Sequence, residues 1–349
     1  MDTMTLGTTG PQVSAIGLGA MGMSDLYGPA DRDESIATIH AALDAGVSLI
    51  DTGDFYGMGR NELLIAEALR GRDREDVAIS VKFGALRDPD GNWLAHAAHP
   101  DFVKSSLAYT LNRLGTDHID VYRPARVDPQ VPIEETIGAI KEMVDAGHVR
   151  HIGLSEAGAD TIRRAAAVAP ISDVQIEYSV ISRGIEADIL PATRELGIAI
   201  TAYGVLSRGL LSGHWTPDRS LAANDFRAFS PRFQGDNLQH NLDLVQQLTQ
   251  IADRKGVTTA QIAIAWVAAQ SQGDIVPLIG ARRRDRLTEA LGALDVTLTT
   301  DDLAAIDAAV PPGAAAGDRY AAAQMAHLDS EHDARREPGA TTSTDTASA

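Results

Sequence analysis

The sequence predicts an α/β protein of the (β/α)8 TIM-barrel class, folded as a single domain. Eight short runs rich in Val and Ile recur along the chain, and segments with helical spacing of apolar residues separate them. Strands that are apolar on both faces and alternate with amphipathic helices form a parallel sheet covered by helices. Eight such units fit a closed barrel better than an open sheet.

The strand and helix bounds follow from these runs. Glycines end the three clearest helical stretches, as expected where a helix stops shortly before a strand. The predicted strands are 13–19, 47–52, 77–82, 118–123, 149–155, 172–178, 197–203 and 274–280, and the helical stretches that end at Gly46, Gly71 and Gly147 are 33–46, 61–71 and 134–147.

Two regions depart from this alternation. Residues 212–237 show no clean period, so we expect a long loop on the face that carries the active site. The C-terminal part is Ala-rich and then polar. Its last portion has too few apolar residues for their burial to offset the conformational entropy lost when a chain becomes ordered. We therefore predict a barrel domain over residues 1–313 and a disordered, flexible tail over 314–349.

Composition limits the function. The 349 residues include 48 acidic and 30 basic side chains, a formal net charge of −18, which argues against nucleic acid or an anionic membrane as the main partner. The absence of cysteine excludes disulfides and thiolate metal sites. No secretory h-region or membrane-length apolar run is present, so a cytoplasmic protein is expected. The oligomeric state stays open.

A dinucleotide fingerprint, G-x-G-x-x-G, occurs at residues 17–22 but does not indicate a Rossmann domain. That motif needs a helix to begin within it, whereas here a helix start is plausible only near Asp31 or Asp33, beyond Pro29. A Gly-rich loop after the first strand is the better interpretation. Close approach of the backbone to a ligand is expected at Gly19, Ala20 and Met21.

Three chemically active residues follow neighbouring strands. Asp51 ends the second strand, Tyr56 follows it, and Lys82 ends the third. Barrel active sites form at the carboxyl ends of strands, so the three side chains should face one mouth. A Lys beside an Asp keeps its charge, and a cation near a phenol favours the phenolate. We therefore expect a Tyr56 pKa below its usual value of about 10, suited to proton transfer.

The His residues suggest no metal site. His96 and His99 lie in a polar loop without a carboxylate cluster at helical spacing, so we expect surface histidines and no bound metal.

Several longer motifs carry a family resemblance. The chain contains LIDTGDFYG, the strand ending SVK, LGTDHIDVY, GHVRHIGLSE, QIEYSVISR, ITAYGVLSRGLLSG and PLIGARRRDRLTEAL. Together, over roughly residues 5–310, it resembles an aldo/keto reductase, and VYRPARVDP and ISRGIE are similar to the branch that includes pyridoxal reductases. The resemblance implies a barrel that binds NADP(H) without a Rossmann domain and reduces aldehydes or ketones.

The resemblance implies that Tyr56 donates the proton and that Lys82 and Asp51 adjust its pKa. It also implies that the hydride leaves C4 of the nicotinamide. Ser155 and Gln175 match positions that bind the carboxamide, and Tyr203 matches the residue stacked on the nicotinamide. The other expected cofactor contacts after strands seven and eight are Gly204, Leu206, Ser207, Arg208, Gly209, Leu210 and Gly280.

Two positions depart from the family pattern. Members commonly place a catalytic His where this chain has Ala125, which offers no side-chain donor to a developing alkoxide. A water molecule or Arg123, on the same strand face by period two, could take that role, or the pocket could admit a bulkier substrate. Glu156 stands where Asn often binds the carboxamide.

Four arginines follow the eighth strand, at 282, 283, 284 and 286. Exposed arginines are ordinary, but basic side chains in the first turn of a helix oppose its dipole, which suggests an anionic ligand. Barrels often bind a phosphate after strands seven and eight. The resemblance implies that Arg286 contacts the 2′-phosphate of NADPH, with Arg282 nearby, and that Glu289 lies close to the adenine amine. Pairing of arginine with the phosphate favours NADPH over NADH.

The substrate is expected to contact the loops at the mouth, with Tyr27, Trp93, Arg123 and Ala125 as candidates. The leading hypothesis is NADPH-dependent reduction of an aldehyde or ketone, with an aromatic or pyridoxal-like compound as one option. The alternative is an NADP(H)-binding regulatory or sensor protein with little turnover, which the replacement of His by Ala125 leaves open. The retained Tyr56, Lys82 and Asp51 favour turnover.

Overall fold

The computed structural model describes residues 1–24, 26–216, 218–222 and 225–332. Eight parallel strands close into a barrel in chain order, which confirms the predicted fold class. The strands are β1 (Thr3–Thr5), β2 (Gln12–Ser14), β3 (Gly17–Gly19), β4 (Leu49–Gly53), β5 (Ala78–Phe83), β6 (Ala85–Arg87), β7 (Trp93–His96), β8 (Ile119–Pro124), β9 (Val149–Ser155), β10 (Ile171–Glu177), β11 (Ala199–Tyr203) and β12 (Ile275–Gly280).

The barrel consists of β3, β4, β5, β8, β9, β10, β11 and β12, and β12 pairs with β3 to close it. Helices surround the barrel, and the main apolar core lies between them and the strands. The helices are α1 (Arg32–Asp44), α2 (Arg60–Ala68), α3 (Pro100–Leu114), α4 (Ile133–Asp145), α5 (Ala159–Val168), α6 (Ile189–Leu196), α7 (Gly235–Lys255), α8 (Thr259–Ala269), α9 (Arg284–Leu291), α10 (Thr300–Ala309) and α11 (Ala322–Met325).

The glycines expected to end helices have the backbone conformation that the role requires. Gly46, Gly71 and Gly147 have φ values of +90°, +79° and +82°, a region that residues with a Cβ rarely adopt. Each glycine follows its helix within three residues. None of the helices in the described ranges has the length and apolar character needed to cross a membrane.

The first predicted strand, 13–19, is in fact two strands. Its first part, β2, pairs with β1 in an antiparallel hairpin, and only Gly17–Gly19 joins the barrel. The chain bends between them, where Ser14 Oγ donates to the carbonyl of Ile16 at 2.7 Å. Leu6 and Val13 of the hairpin pack into the amino end of the barrel and close it.

The fingerprint at residues 17–22 opens no long helix, as expected. After β3 the chain forms a short 3-10 helix at Met21–Met23, and α1 begins only at Arg32. Asp31 caps α1, because its side chain accepts a hydrogen bond from the backbone N–H of Glu34 at 2.7 Å.

The aperiodic region after β11 forms irregular structure at the carboxyl end of the barrel. It contains 3-10 helices at Ser207–Ser212, Phe226–Phe229 and Pro231–Phe233 before α7 begins at Gly235. A second hairpin, β6–β7, lies where a loop is expected after the third barrel strand, and it carries Trp93.

Residues 314–332, which we call the C-terminal segment, correct the predicted tail. Instead of being disordered, they pack on the carboxyl end of the barrel, with Met325 and Leu328 buried. The reason is a buried ion pair that apolar content alone does not reveal: Arg319 Nη2 lies 2.5 Å from Glu156 Oε2. Ser330 also donates to Glu156, at 2.6 Å. The rest of the predicted tail, 333–349, lies outside the described residues.

The ion pair that fixes the C-terminal segment gives a stability prediction. Arg319→Met leaves the buried Glu156 carboxylate without its cation, so we expect a loss of about 3 kcal/mol in the free energy of unfolding at pH 7. Arg319 holds the pKa of Glu156 well below its usual range. A lowered acid pKa stabilises the fold above the unfolded-state value of about 4.3 and loses that effect as the pH falls.

The measurement is chemical denaturation at pH 7 and at pH 4, where the cost of the substitution should shrink. The matched control is Arg72→Met, whose partner Asp44 is 67% exposed, and which should cost about 0.5 kcal/mol or less. Equal costs for the two variants would contradict the structural role given to Arg319.

Candidate active site

A buried ion pair lies at the carboxyl ends of β4 and β5. Lys82 Nζ donates to Asp51 Oδ1 at 2.5 Å and to the carbonyl of Thr52 at 3.0 Å. Both charged residues are buried, with exposures of 5% for Asp51 and 4% for Lys82. The register of β4 on β5 places Gly53 opposite Lys82, so the lysine reaches back along the barrel toward Asp51.

The second oxygen of the Asp51 carboxylate is held by two other side chains. Ser80 Oγ donates to Asp51 Oδ2 at 3.1 Å, and Gln175 Nε2 donates to it at 2.6 Å from β10. Three donors therefore fix this carboxylate, one of them across the barrel. Gln175, which the resemblance assigns to the nicotinamide carboxamide, donates to Asp51 in this structure and orients it.

Tyr56 lies directly above this pair. It begins a 3-10 helix after β4, where Gly57 and Met58 both have positive φ and turn the chain sharply. The Lys82 ammonium lies 4.9 Å from the centroid of the Tyr56 ring, a cation–π distance. The phenol is 6% exposed and makes no hydrogen bond within the described part of the chain. Its hydroxyl is therefore open to a ligand.

The expected lowering of the Tyr56 pKa is contradicted. Burial raises the Tyr56 pKa well above its ordinary value, the Asp51 charge raises it further, and Arg126 opposes both. Burial also lowers the pKa of Lys82, while Asp51 counteracts that effect. The low dielectric around the site thus outweighs the neighbouring cation. A phenol with a raised pKa keeps its proton at neutral pH and is a proton donor rather than a base.

Arg123, a candidate to replace the catalytic His, points into the barrel instead. Its side chain is fully buried inside the barrel, where Nη1 donates to Asp173 Oδ2 at 2.8 Å and Nη2 donates to Ser80 Oγ at 2.9 Å. The prediction that Arg123 faces the substrate is therefore wrong, because the buried Asp173 attracts the guanidinium toward the amino half of β10. Ala125, 2% exposed, follows β8.

Two buried hydroxyls bear on whether a nicotinamide cofactor fits. Ser155 Oγ ends β9 and Ser207 Oγ follows β11, and neither has a hydrogen-bond partner among the described residues. Buried polar atoms without partners are rare in native folds and mark places where a ligand completes the bonding. The two serines are among those expected to contact NADP(H), so the residues present fit such a cofactor.

The loop after β11 is strained. Ser207 and Arg208 have φ of +44° and +58°, and the following Gly209 has φ of +94°. A positive φ at a residue with a Cβ costs roughly 1–3 kcal/mol and tends to be kept at functional sites. Arg208 anchors the loop by donating to the buried Glu177 at 3.0 Å.

Glycines and other small residues surround the same mouth. Ala20, after β3, donates its backbone N–H to the Asp51 carbonyl at 2.9 Å. A Cβ on Gly204 would lie 3.0 Å from Glu177 Cγ, so a larger residue would disturb that carboxylate. The structure places the other expected backbone contacts at strand ends or in the strained loop, namely Gly19, Met21, Leu206, Leu210 and Gly280.

Tyr203 has polar partners that the resemblance did not predict. Its hydroxyl lies 2.7 Å from Glu156 Oε1 and 2.8 Å from the hydroxyl of Tyr320 in the C-terminal segment. Glu156, which stands where Asn was expected, is therefore engaged with Tyr203 and Arg319. Burial raises the Tyr203 pKa well above its ordinary value.

The arginines after β12 have partners of different kinds. Arg283 pairs with Asp285, and Arg284 pairs with Glu34 of α1, whose carboxylate also accepts the Arg284 backbone N–H at 2.9 Å. These carboxylates offset the unfavourable interaction of Arg283 and Arg284 with the helix dipole, so neither arginine needs an anionic ligand. Two arginines remain as phosphate candidates.

Those two candidates are Arg282 and Arg286. Arg282 Nη1 donates to the carbonyls of Tyr27 and Pro29, at 3.0 and 3.1 Å. Arg286, on α9, pairs with Glu289 at 2.9 Å, and the carboxylate of Glu289 lies 3.2 Å from His214. Arg286 is 43% exposed and accessible to an anion.

The two aromatic substrate candidates lie near Tyr56. Trp93 of the β6–β7 hairpin is 43% exposed and packs its ring 5.8 Å from that of Phe55. Burial raises the pKa of Tyr27 to about 12, and its ring lies 5.1 Å from the Arg227 guanidinium. Trp93 is held by the β6–β7 hairpin, and Tyr27 by the loop that follows β3.

Sequence reasoning missed several residues of the site. Ser80 had a signal, because it lies two residues before Lys82 and so on the same face of β5. Asn61 holds the β3 loop by donating to the Ala20 carbonyl at 2.9 Å. Arg126, Arg319 and Tyr320 had no periodic signal, and the last two come from a segment expected to be disordered.

Comparison with known proteins agrees with this geometry. A family model described as the aldo/keto reductase family matches residues 15–311. A "Probable aldo-keto reductase 1" of Glycine max is 42% identical over 318 residues, covering 90% of each chain.

Two solved structures share the fold. A glycerol dehydrogenase of Gluconobacter oxydans superposes with a TM-score of 0.80 at 26% identity, covering 94% of this chain and 96% of its own. A thermostable aldo-keto reductase, solved with the inhibitor epalrestat, gives a TM-score of 0.71 at 28% identity, covering 88% and 100%. Members of this family are oxidoreductases that use nicotinamide cofactors in carbonyl reduction. The chain belongs to the aldo/keto reductase family.

Proposed function

We propose that this protein reduces an aldehyde or ketone to an alcohol with NADPH, and that Tyr56 donates the proton. The observation that carries the proposal is the buried Asp51–Lys82 pair beneath a Tyr56 ring whose hydroxyl has no hydrogen-bond partner among the residues that the structure describes. A buried ion pair beneath an open phenol suits proton delivery, whereas a regulatory protein that only binds the cofactor has no use for it.

Each side chain has a distinct role in this proposal. The bound nicotinamide supplies the hydride. Tyr56 hydrogen-bonds the carbonyl oxygen and transfers its proton as charge develops there. The Lys82 ammonium stabilises the phenolate left behind, and Asp51 keeps that ammonium charged despite burial. Ser80 and Gln175 hold Asp51 in place.

The cofactor is proposed to lie between Ser155, Ser207 and the arginines after β12. The two serines offer it hydroxyls that have no hydrogen-bond partner within the described ranges of the chain. Arg286 offers an exposed guanidinium that suits a 2′-phosphate, and Arg282 holds the loop at Tyr27–Pro29 alongside. The aromatic rings of Tyr27 and Trp93 favour an aromatic substrate. The pyridoxal reductase branch and a cytoplasmic location stay predictions.

Tyr56→Phe tests the proton donor. We expect kcat for carbonyl reduction to fall about 10²- to 10⁴-fold, because a phenyl ring keeps the packing but has no proton to give. NADPH oxidation is followed by absorbance with a panel of aldehydes and ketones, and cofactor binding is followed by fluorescence titration.

The matched control is Tyr109→Phe, a tyrosine that is 65% exposed on α3. Binding of NADPH without turnover of any carbonyl by the wild type would favour the regulatory alternative. An undiminished rate in Tyr56→Phe would rule out the assigned role.

Asp51→Asn tests the electrostatics. Asp51 raises the pKa of both Lys82 and Tyr56, so removing its charge lowers both. Both groups act in their protonated forms, which are lost as the pH rises through the pKa. The alkaline limb of kcat/KM should therefore move to lower pH. A profile between pH 6 and 10, with surface Asp44→Asn as control, measures the shift, and an unmoved or alkaline-shifted limb would contradict it.

Arg286→Ala tests the cofactor preference. We expect the KM for NADPH to rise about tenfold while the KM for NADH changes little, because only NADPH carries the phosphate that a guanidinium pairs with. Arg283→Ala, which removes an exposed arginine paired with Asp285, is the control. A similar change for both cofactors would show that Arg286 does not contact the phosphate.

A further inference from the structure

Arg126 differs from three neighbouring arginines, Arg208, Arg232 and Arg319, in its partners. Arg208 and Arg232 pair with Glu177, and Arg319 pairs with Glu156 and Glu331. Arg126 has no carboxylate within 4 Å in the described part of the chain. Its contacts are the carbonyl of its neighbour Ala125, at 2.6 Å from Nη1, and the hydroxyl of Tyr320, at 3.5 Å from Nη2.

The carboxylate nearest to Arg126 in its electrostatic effect, Glu156, already has other hydrogen-bond partners. Glu156 acts on Arg126 electrostatically, but its oxygens accept hydrogen bonds from Arg319, Ser330 and Tyr203. A guanidinium has five N–H donors, and the contacts of Arg126 use two of them. Holding a partly buried cation with open donors is costly unless an anion completes the site.

The position of Arg126 points to the substrate rather than to the protein interior. It follows Ala125 at the carboxyl end of β8, and its charge acts on both Tyr56 and Lys82. It also acts on His96 of the β6–β7 hairpin, whose pKa burial and this charge lower to about 4, so the imidazole is neutral at pH 7. Arg126 therefore lies at the carboxyl end of the barrel, where its Nη2 is 3.5 Å from the Tyr320 hydroxyl and its charge acts on the proton donor.

The surroundings define what the anion is attached to. The Tyr320 ring centroid lies 5.8 Å from the Arg126 guanidinium, and Tyr320 also packs edge-on to Phe226 at 5.8 Å. Trp93 and Phe55 form the other aromatic wall next to Tyr56. Because the whole chain carries −18, it repels anions at long range, so an anionic substrate needs a local cation.

We propose that Arg126 is a specificity-determining residue that binds an anionic group of the substrate, so that the preferred substrates are aldehydes or ketones bearing a carboxylate or a phosphate ester. This inference rests on the proposed carbonyl reduction. Arg126 binds the anion through the donors that face away from Ala125, and Tyr320 places the C-terminal segment against the same group. The carbonyl is then presented to the Tyr56 hydroxyl.

Two pairs of aldehyde substrates, each with an anionic and a neutral member, distinguish the effect of the substrate's charge from that of its carbonyl group. The carboxylate arm compares 4-carboxybenzaldehyde with its methyl ester, and the phosphate arm compares glyceraldehyde 3-phosphate with glyceraldehyde. For the wild type we expect kcat/KM to favour the anionic member by about tenfold or more in at least one arm, since a charge-assisted hydrogen bond is of that size. The arm with the larger preference identifies the anion.

Arg126→Met keeps an unbranched, flexible side chain and removes its charge. We expect it to lower kcat/KM for the anionic probe ten- to a hundredfold more than for the neutral one, mainly through KM, while Arg126→Lys restores part of the preference. Arg72→Met is the control for loss of a surface arginine. Calorimetric binding of 4-carboxybenzyl alcohol gives a readout that is independent of turnover, and it should weaken in Arg126→Met.

The outcomes separate the two proposals. An anion preference that is absent in the wild type, or unchanged in Arg126→Met, overturns this inference and leaves carbonyl reduction standing. A rise in the KM for NADPH alone shows that Arg126 serves the cofactor and also overturns it. If neither member of any pair is reduced, the proposed function fails, while tight binding of 4-carboxybenzyl alcohol that depends on Arg126 still supports an anion site.

Discussion

The carboxylate of Asp51 accepts hydrogen bonds from Lys82 and Ser80 on the neighbouring strand and from Gln175 across the barrel. A buried carboxylate is stable only when donors and a cation offset its desolvation. The other polar groups of the barrel interior follow from that requirement. Ser80 in turn accepts from Arg123, and Arg123 is neutralised by Asp173. The site therefore rests on a second ion pair deeper in the barrel.

The same low dielectric sets the chemistry of Tyr56 and Lys82 in opposite directions. Burial disfavours both charged forms, so it raises the pKa of the phenol and lowers that of the ammonium. At neutral pH this keeps the phenol protonated, which is the form that gives a proton to a developing alkoxide. Removing a proton from an alcohol would require the phenolate, which Asp51 disfavours.

The sequence predicted the barrel because each βα unit carries its own local signal: an apolar strand, an amphipathic helix and a glycine such as Gly46 with positive φ. It also predicted that Asp51 and Lys82 meet, because parallel strands bring their carboxyl ends to one edge. Two errors have a common cause. Arg123 turns inward and residues 314–332 fold onto the barrel because of partners distant in sequence, Asp173 and Glu156, which no periodicity reveals.

The C-terminal segment links these long-range contacts to the substrate side of the site. Glu156, next to Ser155, accepts hydrogen bonds from Arg319 on both carboxylate oxygens, so this acidic residue anchors the C-terminal segment to the barrel. Once the segment is docked, Tyr320 lies between Tyr203 and Arg126. The segment supplies the cation that pairs with Glu156, so within the described residues Arg126 keeps donors that no carboxylate engages.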